Sequence, residues 1–392
     1  MDIKYIEKKL NIIPNGYVGS KKSKISWIHS CFQREHINLK NLRVFDAFCG
    51  AGSFSIYSKL CDVENIISND CLISSALYVK TFVENPGLKL SDEEIRYLIY
   101  NKNKKSNYFM QEYYVGKDKY FHEKEAIFLD NYRANIENLD SDSKIEPQSL
   151  IDLGEGLINI NNNGIFEIGY KKAAAFTGIL SMISSWFGGG VGKFSSPSYR
   201  SREIFTISRK RAKRKDRPFI GKDLILNYLK YSKSSLDKIN KCIESSNTNG
   251  LTLNTDTLSL LQNNIFTSYP IDLIYIDLPY GGEHTDYLRL YGLLESYVLN
   301  KTTSQFGYLN KINYFNSKKT YEASFVKLLE LINSNKINKW VFSFNDSSWA
   351  PINRIVRILR DLNKKINVYN SIHSYKYRKT NRNGIEYLII CK

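Results

Sequence analysis

LRVFDAFCGAG, residues 42–52, is an apolar run that ends on Asp46 and breaks at Gly50 and Gly52. The run reads as a buried strand, and the SFSIYSKL that follows it reads as a helix. Two glycines between them let the backbone turn tightly and approach a ligand closely, while the new helix directs its first amides at whatever carries negative charge. A Gly-x-Gly pair alone is weak evidence. Asn65-Ile66-Ile67-Ser68-Asn69 then forms a second strand-like run ending on Asp70, close to the ~20-residue spacing at which doubly wound sheets set a carboxylate on ribose hydroxyls. Strand, glycine turn, helix, strand and acid together describe a nucleoside-binding half-sheet.

The other half is marked by Asp277-Leu278-Pro279-Tyr280, placed where the apolar strand IDLIYI gives out and Gly281-Gly282 begins a turn. A carboxylate, a stiff backbone and an aromatic face are thus offered at the C-terminal end of a strand, where open α/β sheets hold their ligands. That set suits a flat base bearing an exocyclic amine: the carboxylate and the next backbone carbonyl accept its two hydrogens, and the ring stacks. An ordinary strand-to-turn junction uses the same residue types.

With both motifs in hand, the chain resembles the amino-methylating DNA methyltransferases, and among them the Dam-like adenine-N6 enzymes. Their cofactor fingerprint Asp-x-Phe-x-Gly-x-Gly is matched by Asp46, Phe48, Gly50 and Gly52, and an aromatic-x-Gly-x-Lys element by Tyr17, Gly19 and Lys21. Their catalytic tetrad Asp-Pro-Pro-Tyr is matched at three of four positions, with Leu278 standing for the first proline. Leucine keeps the carbonyl that would receive an amine hydrogen but not the fixed φ, and a proline restored there is expected to be tolerated. The resemblance implies an S-adenosylmethionine-dependent enzyme acting on duplex DNA, with Asp277, Leu278, Pro279 and Tyr280 as catalytic tetrad. It assigns Tyr17, Gly19, Lys21, Asp46, Phe48, Gly50, Gly52, Asp70 and Asp256 to the cofactor. For Asp256, in Asn254-Thr255-Asp256, a helix-cap role fits the sequence as well.

The rest of the chain fits this frame. Its 392 residues suffice for two or three domains, and a formal net charge of +17 with pI near 9.3 attracts polyanions, nucleic acid first among them. Charge is concentrated in SYRSREIFTISRKRAKRKDRPF, where Arg209, Lys210, Arg211, Lys213, Arg214 and Lys215 repel one another unless a phosphate backbone or solvent lies beside them. The six cysteines and five histidines form no spacing that suggests a metal, and the cysteines read as reduced thiols. No secretory h-region and no 18-residue apolar run is found, so a cytoplasmic protein is expected. Gly188-Gly189-Gly190-Val191-Gly192-Lys193 mimics a phosphate loop, but Phe187 and Phe194 occupy required positions, so it reads as a hinge.

The α/β rhythm runs from about Lys40 to Pro86 and returns from Leu251. Between them the strands largely stop, and helical patterns appear in EKEAIFLDNYRANIENL, KKAAAFTGILSMISSWF and DLILNYLKYSKSSLDKINKCIESS. The expected architecture is a Rossmann-like α/β methyltransferase sheet interrupted by a mostly helical insertion: 1–90 as cofactor half, 91–250 as target-recognition insertion, 251–392 as catalytic half. The insertion is expected to be a lid or reader over the C-terminal edge of the sheet. Ser343-Phe344-Asn345-Asp346 ends a further strand at that edge, and Tyr375-Lys376-Tyr377-Arg378-Lys379 reads as a basic hairpin tip. The expected function is adenine-N6 methylation of a flipped base, in a restriction-modification or phage-defence setting with a separately encoded endonuclease. An RNA base methyltransferase and a catalytically dead DNA-binding relative are the rival readings.

Overall fold

The computed structural model describes residues 3–13, 20–102, 108–115, 121–139, 150–152, 159–161, 165–188, 222–263, 266, 270–279, 287–302, 315, 318–346, 348–349, 352–362, 364–374 and 383–392. The two opening apolar runs form β1, Arg43–Asp46, and β2, Asn65–Asn69. Within the insertion, β3 (Leu150–Asp152), β4 (Asn159–Asn161) and β5 (Phe166–Glu167) make a small antiparallel sheet. Strands of two or three residues are too short to carry a period-2 signal, which is why the sequence pattern misses them. The main sheet continues with β6 (Asn249–Leu253), β7 (Leu273–Ile276), β8 (Lys339–Asn345), β9 (Ile366–Ser374) and β10 (Asn383–Cys391).

The main sheet is ordered β6-β2-β1-β7-β8-β10-β9. Its first five strands are parallel, and β10 runs antiparallel to both of its neighbours. The chain therefore has a Rossmann-like α/β fold. Pleating sends Val44, Ile66, Leu273 and Tyr275 to one face and Phe45, Ile67, Ile274 and Ile276 to the other, all of them buried. Both faces must be covered, as parallel sheets require. Helices Ile3–Ile12, Ile25–Arg34, Ser53–Leu60 and Ile73–Val79 contribute to the core on the first face. Helices Thr257–Gln262, Lys318–Ser334 and Ile352–Asp361 close the second.

Strand β6 follows the insertion yet lies beyond β2, with Asn249 opposite Asn65. The stretch expected to form the catalytic half thus also supplies the strand that completes the sheet on the cofactor side. The fit is tight: helix Ile73–Val79 runs on into one π turn, Lys80–Glu84, and a Cβ at Gly250 would meet the Glu84 Cα at 2.6 Å.

The three longest described helices of the insertion are Glu123–Glu137, Tyr170–Gly188 and Lys222–Cys242. Tyr170–Gly188 packs on the outside of helix Ile73–Val79, the other two pack on Tyr170–Gly188, and all share its core. Ala173, Ala174, Ala175 and Phe176 are wholly buried there, and Thr81 and Thr177 hydroxyls meet at 2.9 Å. Tyr78 meets Ser181 at 2.6 Å, so Tyr170–Gly188 runs antiparallel to Ile73–Val79 and its C-terminus points to the edge where β2 ends. Ser235 donates to the Gly178 carbonyl and Ser232 to the Met182 sulfur, which turns Lys222–Cys242 antiparallel again. The chain accordingly leaves at Gly188 and returns at Lys222 on the side of the sheet's C-terminal edge.

Candidate active site at the sheet edge

Three carboxylates come to this edge from three adjacent strands. Asp46 closes β1 with 1 % of its surface exposed. Its Oδ2 accepts from Ser55 at 2.6 Å, and Ser55 accepts in turn from Ser68 at 2.8 Å. Oδ1 is buried with no hydrogen-bond partner among the described residues. Burial pushes the carboxyl up to about 8, against the Ser55 hydrogen bond and with help from the charges of Asp277 and Asp70.

The glycine turn behaves as its sequence demands. Gly50 and Gly52 have φ of +51° and +69°, and a Cβ on Gly52 would meet Val79 Cγ1 at 2.6 Å. Asp70 holds that turn from below. Its Oδ2 accepts from the Gly50 amide at 2.8 Å and its Oδ1 from the Leu72 amide at 2.9 Å, so both oxygens already serve the backbone. Burial raises it to about 6 against those two amides, with Glu295 adding to the rise. Around it, Asn69 reaches the Thr255 carbonyl and Thr257 hydroxyl, Asn254 reaches the Asp70 carbonyl, and Thr257 reaches the Ala47 carbonyl. The ends of β1, β2 and β6 are thereby tied into one rim. Asp256 caps helix Thr257–Gln262, accepting from the Ser259 amide at 2.8 Å.

Asp277 follows β7 on the same face as Asp46. Its partner is Lys21, whose Nζ lies 3.2 Å from Oδ1. Lys21 stands in a single 3₁₀ turn, Lys21–Lys24, capped by Ser20, and Ser20 is itself 2.9 Å from Ser53 at the start of the helix after the glycine turn. The ammonium is buried between Asp277 and Glu386 of β10. Burial raises the Asp277 carboxyl to about 7, Lys21 opposing and Glu386 adding. Lys21 is raised despite its burial, because both carboxylates favour its charged form.

Leu278 is 1 % exposed and belongs to the buried cluster that contains Phe315, Tyr321 and Phe344. Phe48 packs edge-on against Phe315, Phe315 against Tyr321, and Tyr321 against Trp349, an aromatic row beside the Asp277 loop. Packing, then, is what a leucine supplies where the resembling family has proline. Leu278→Ala should cost about 2–5 kcal/mol. A proline gains only about 0.4–1 kcal/mol from a stiffer unfolded chain, less than the packing it forfeits, so Leu278→Pro is now expected to lower the melting temperature. A variant melting at or above the parent would show the side chain to be dispensable.

Tyr17, Gly19, Tyr280, the segment with Arg209, Lys210, Arg211, Lys213, Arg214 and Lys215, and the tip Tyr375–Lys379 lie outside the described residues. Two buried residues of this region escape motif reading. Glu386 interrupts the apolar run of β10, and Glu295 sits in helix Tyr287–Leu299 and accepts from the Ile73 and Ser74 amides at 3.0 and 2.8 Å. In each case a lone acid in an apolar stretch is the available signal.

Comparison with known proteins finds two similarities. Residues 17–175 match the family model of the D12 class N6 adenine-specific DNA methyltransferases. The chain is also 25 % identical over 376 residues to the Type II methyltransferase M2.HphI of Haemophilus parahaemolyticus, covering 92 % of this chain and 91 % of that protein.

Proposed function

Since the chain belongs to the N6 adenine-specific DNA methyltransferases, we propose that it draws its methyl group from S-adenosylmethionine and works on an adenine flipped out of duplex DNA. The observation that carries the proposal is the gathering of three buried carboxyl groups, Asp46, Asp70 and Asp277, at one strand edge, with Lys21 paired to Asp277. Such a rim fits a cationic donor, and the unpartnered Asp46 Oδ1 is a ready acceptor for its ammonium group. When bound, the donor supplies a sulfonium-activated methyl group.

The chain's own residues do the rest by positioning. Gly50 and Gly52 bring the backbone close to the donor, and Asp70 keeps that turn in shape while offering its remaining lone pairs to hydroxyls. Asp277 accepts a hydrogen bond from the N6 amine, and the Leu278 carbonyl accepts the second. With the methyl group that the bound donor would supply held in line with it, the amine nitrogen would take that methyl group and Asp277, its hydrogen-bond partner, would receive the proton the nitrogen sheds. Phe48 and Tyr280 are assigned to the flat ligands, Tyr17, Gly19 and Lys21 to the donor, and the basic segment to phosphates. Leu253-to-Thr257 is assigned to the rim that meets the donor's base, with Asp256 there as a cap. By analogy with the Type II relative we place the protein in a restriction-modification system with a partner endonuclease. Among the described residues no helix is long and apolar enough to cross a membrane.

Sequencing modified bases in DNA from cells expressing the protein tests the proposal. N6-methyladenine at one short recurring sequence is the expected result; unmodified DNA, with modified RNA in the same cells, would move the assignment to the RNA-directed reading.

A further inference from the structure

Lys21 is held by two carboxylates, and only one of them belongs to a motif. Glu386 lies on β10, two strands away from β7, on the sheet face that also carries Tyr275 and Asp46. It is 5 % exposed. The Lys21 ammonium bridges Asp277 and Glu386 across the end of β8, where Ser343 donates to Glu386 Oε1 at 3.3 Å. Lys24, one helical turn from Lys21, is drawn instead to Ser371 and the Ile372 carbonyl of β9.

The charge count of this group matters. A lysine paired one-to-one with Asp277 would cancel it, leaving a poor acceptor for an amine. Shared between two carboxylates, the same lysine cancels less of the charge on Asp277, close to the atom where positive charge grows during methyl transfer. Electrostatic groups fixed beside developing charge are the strongest devices available to a site of this kind.

We propose that Glu386 is a positioning residue: it clamps Lys21 in shared contact with Asp277, so that Asp277 stays both oriented and net negative toward the N6 amine. This rests on the methyl-transfer reading above. The other groups bearing on Asp277 are Asp46 from β1, Tyr275 from β7 and, through Lys21, Lys24 from the 3₁₀ turn. None of these supplies a second contact to the Lys21 ammonium in the way Glu386 does. Burial acts on Asp277 first, Lys21 opposes it and Glu386 reinforces it, so neutralising Glu386 removes an influence that holds the carboxyl high.

Two substitutions separate clamping from charge. Glu386→Gln keeps an acceptor for Lys21 and removes the negative charge, whereas Glu386→Ala removes both. Single-turnover transfer at saturating donor and DNA should fall about 10- to 100-fold in Glu386→Ala, the scale of a misplaced reacting group. Glu386→Gln should recover only part of that loss, because it restores the contact to Lys21 and not the charge, with the acidic limb of its pH profile displaced to lower pH. In the donor-free protein, the ¹³C titration of the Asp277 carboxyl, identified as the signal missing from Asp277→Asn, should move the same way. A parental rate in Glu386→Ala, or equal slowing in both variants with an unmoved Asp277 titration, overturns the inference. If the parent itself transfers no methyl group to adenine, the reaction assignment fails, and the carboxyl titration still decides whether Glu386 acts on Asp277.

Discussion

Asp277→Ala should retain donor binding and lose methyl transfer by about 100-fold or more, the scale of one positioned polar group in a catalytic site. The carboxylate touches the reacting amine in the proposed arrangement, while the donor rests on Asp46, Asp70 and the glycine turn. In that arrangement the donor's holders lie at the ends of β1 and β2 and the catalytic carboxylate follows β7, so binding and chemistry fall on different strands. The parent enzyme should show the same dependence through pH. Asp277 must be ionised to accept from the amine, and its carboxyl is raised to about 7, so the rate should fall as pH drops through the neutral range. Substituting the side chain abolishes that limb along with most of the rate. Near-normal turnover in the purified variant would remove Asp277 from the reaction and return the strand end to a structural junction.

The second large effect concerns the grip on DNA. Neutralising Arg209, Lys210, Arg211, Lys213, Arg214 and Lys215 together should weaken binding to every sequence alike. Each lost phosphate contact should flatten the slope of log K against log salt by about 0.9. If all six make contacts, the change in slope is about 5, and at low salt the affinity falls by several orders of magnitude. The reasoning from structure lies in the neighbours of the segment. Helices Tyr170–Gly188 and Lys222–Cys242 both aim their near ends toward the edge that carries Asp46 and Asp277. An unaltered slope in the neutralised protein would assign the charges to solvent.

What could be read in the sequence was local. The runs that became β1, β2, β7 and β8 are continuous apolar stretches ending on acids or turn residues, and the strand-glycine-helix order of 42–60 has few other structural meanings. Partnership could not be read the same way. LTLNTD looks like one more strand of the later half, and nothing in its pattern says that β6 crosses back to pair with β2. The periodicity of the insertion helices was equally plain, yet an apolar face does not name what it packs against. Helix Tyr170–Gly188 held the clue: Ala173, Ala174, Ala175 and Phe176 in succession leave no polar side, and a helix apolar all round is interior. Glu386 and Glu295 went unnoticed because motifs describe chain neighbours, whereas these carboxylates act across 365 and 222 residues of sequence.

The return of β6 to the side of β2 sets a timetable for synthesis. Asp70 and Asn254 are joined by a hydrogen bond across 184 residues, and until the later one leaves the ribosome β2 has an open edge. At about 5–20 residues per second the nascent chain waits roughly 10–40 s in that state. Exposed apolar strand edges are templates for pairing with other chains. Helix Tyr170–Gly188 emerges during the interval and can already sheathe helix Ile73–Val79, shortening the time for which that flank is bare. A messenger with slow codons just before residue 249 should therefore yield more aggregate than one with the same slow codons after residue 280, although both encode an identical protein.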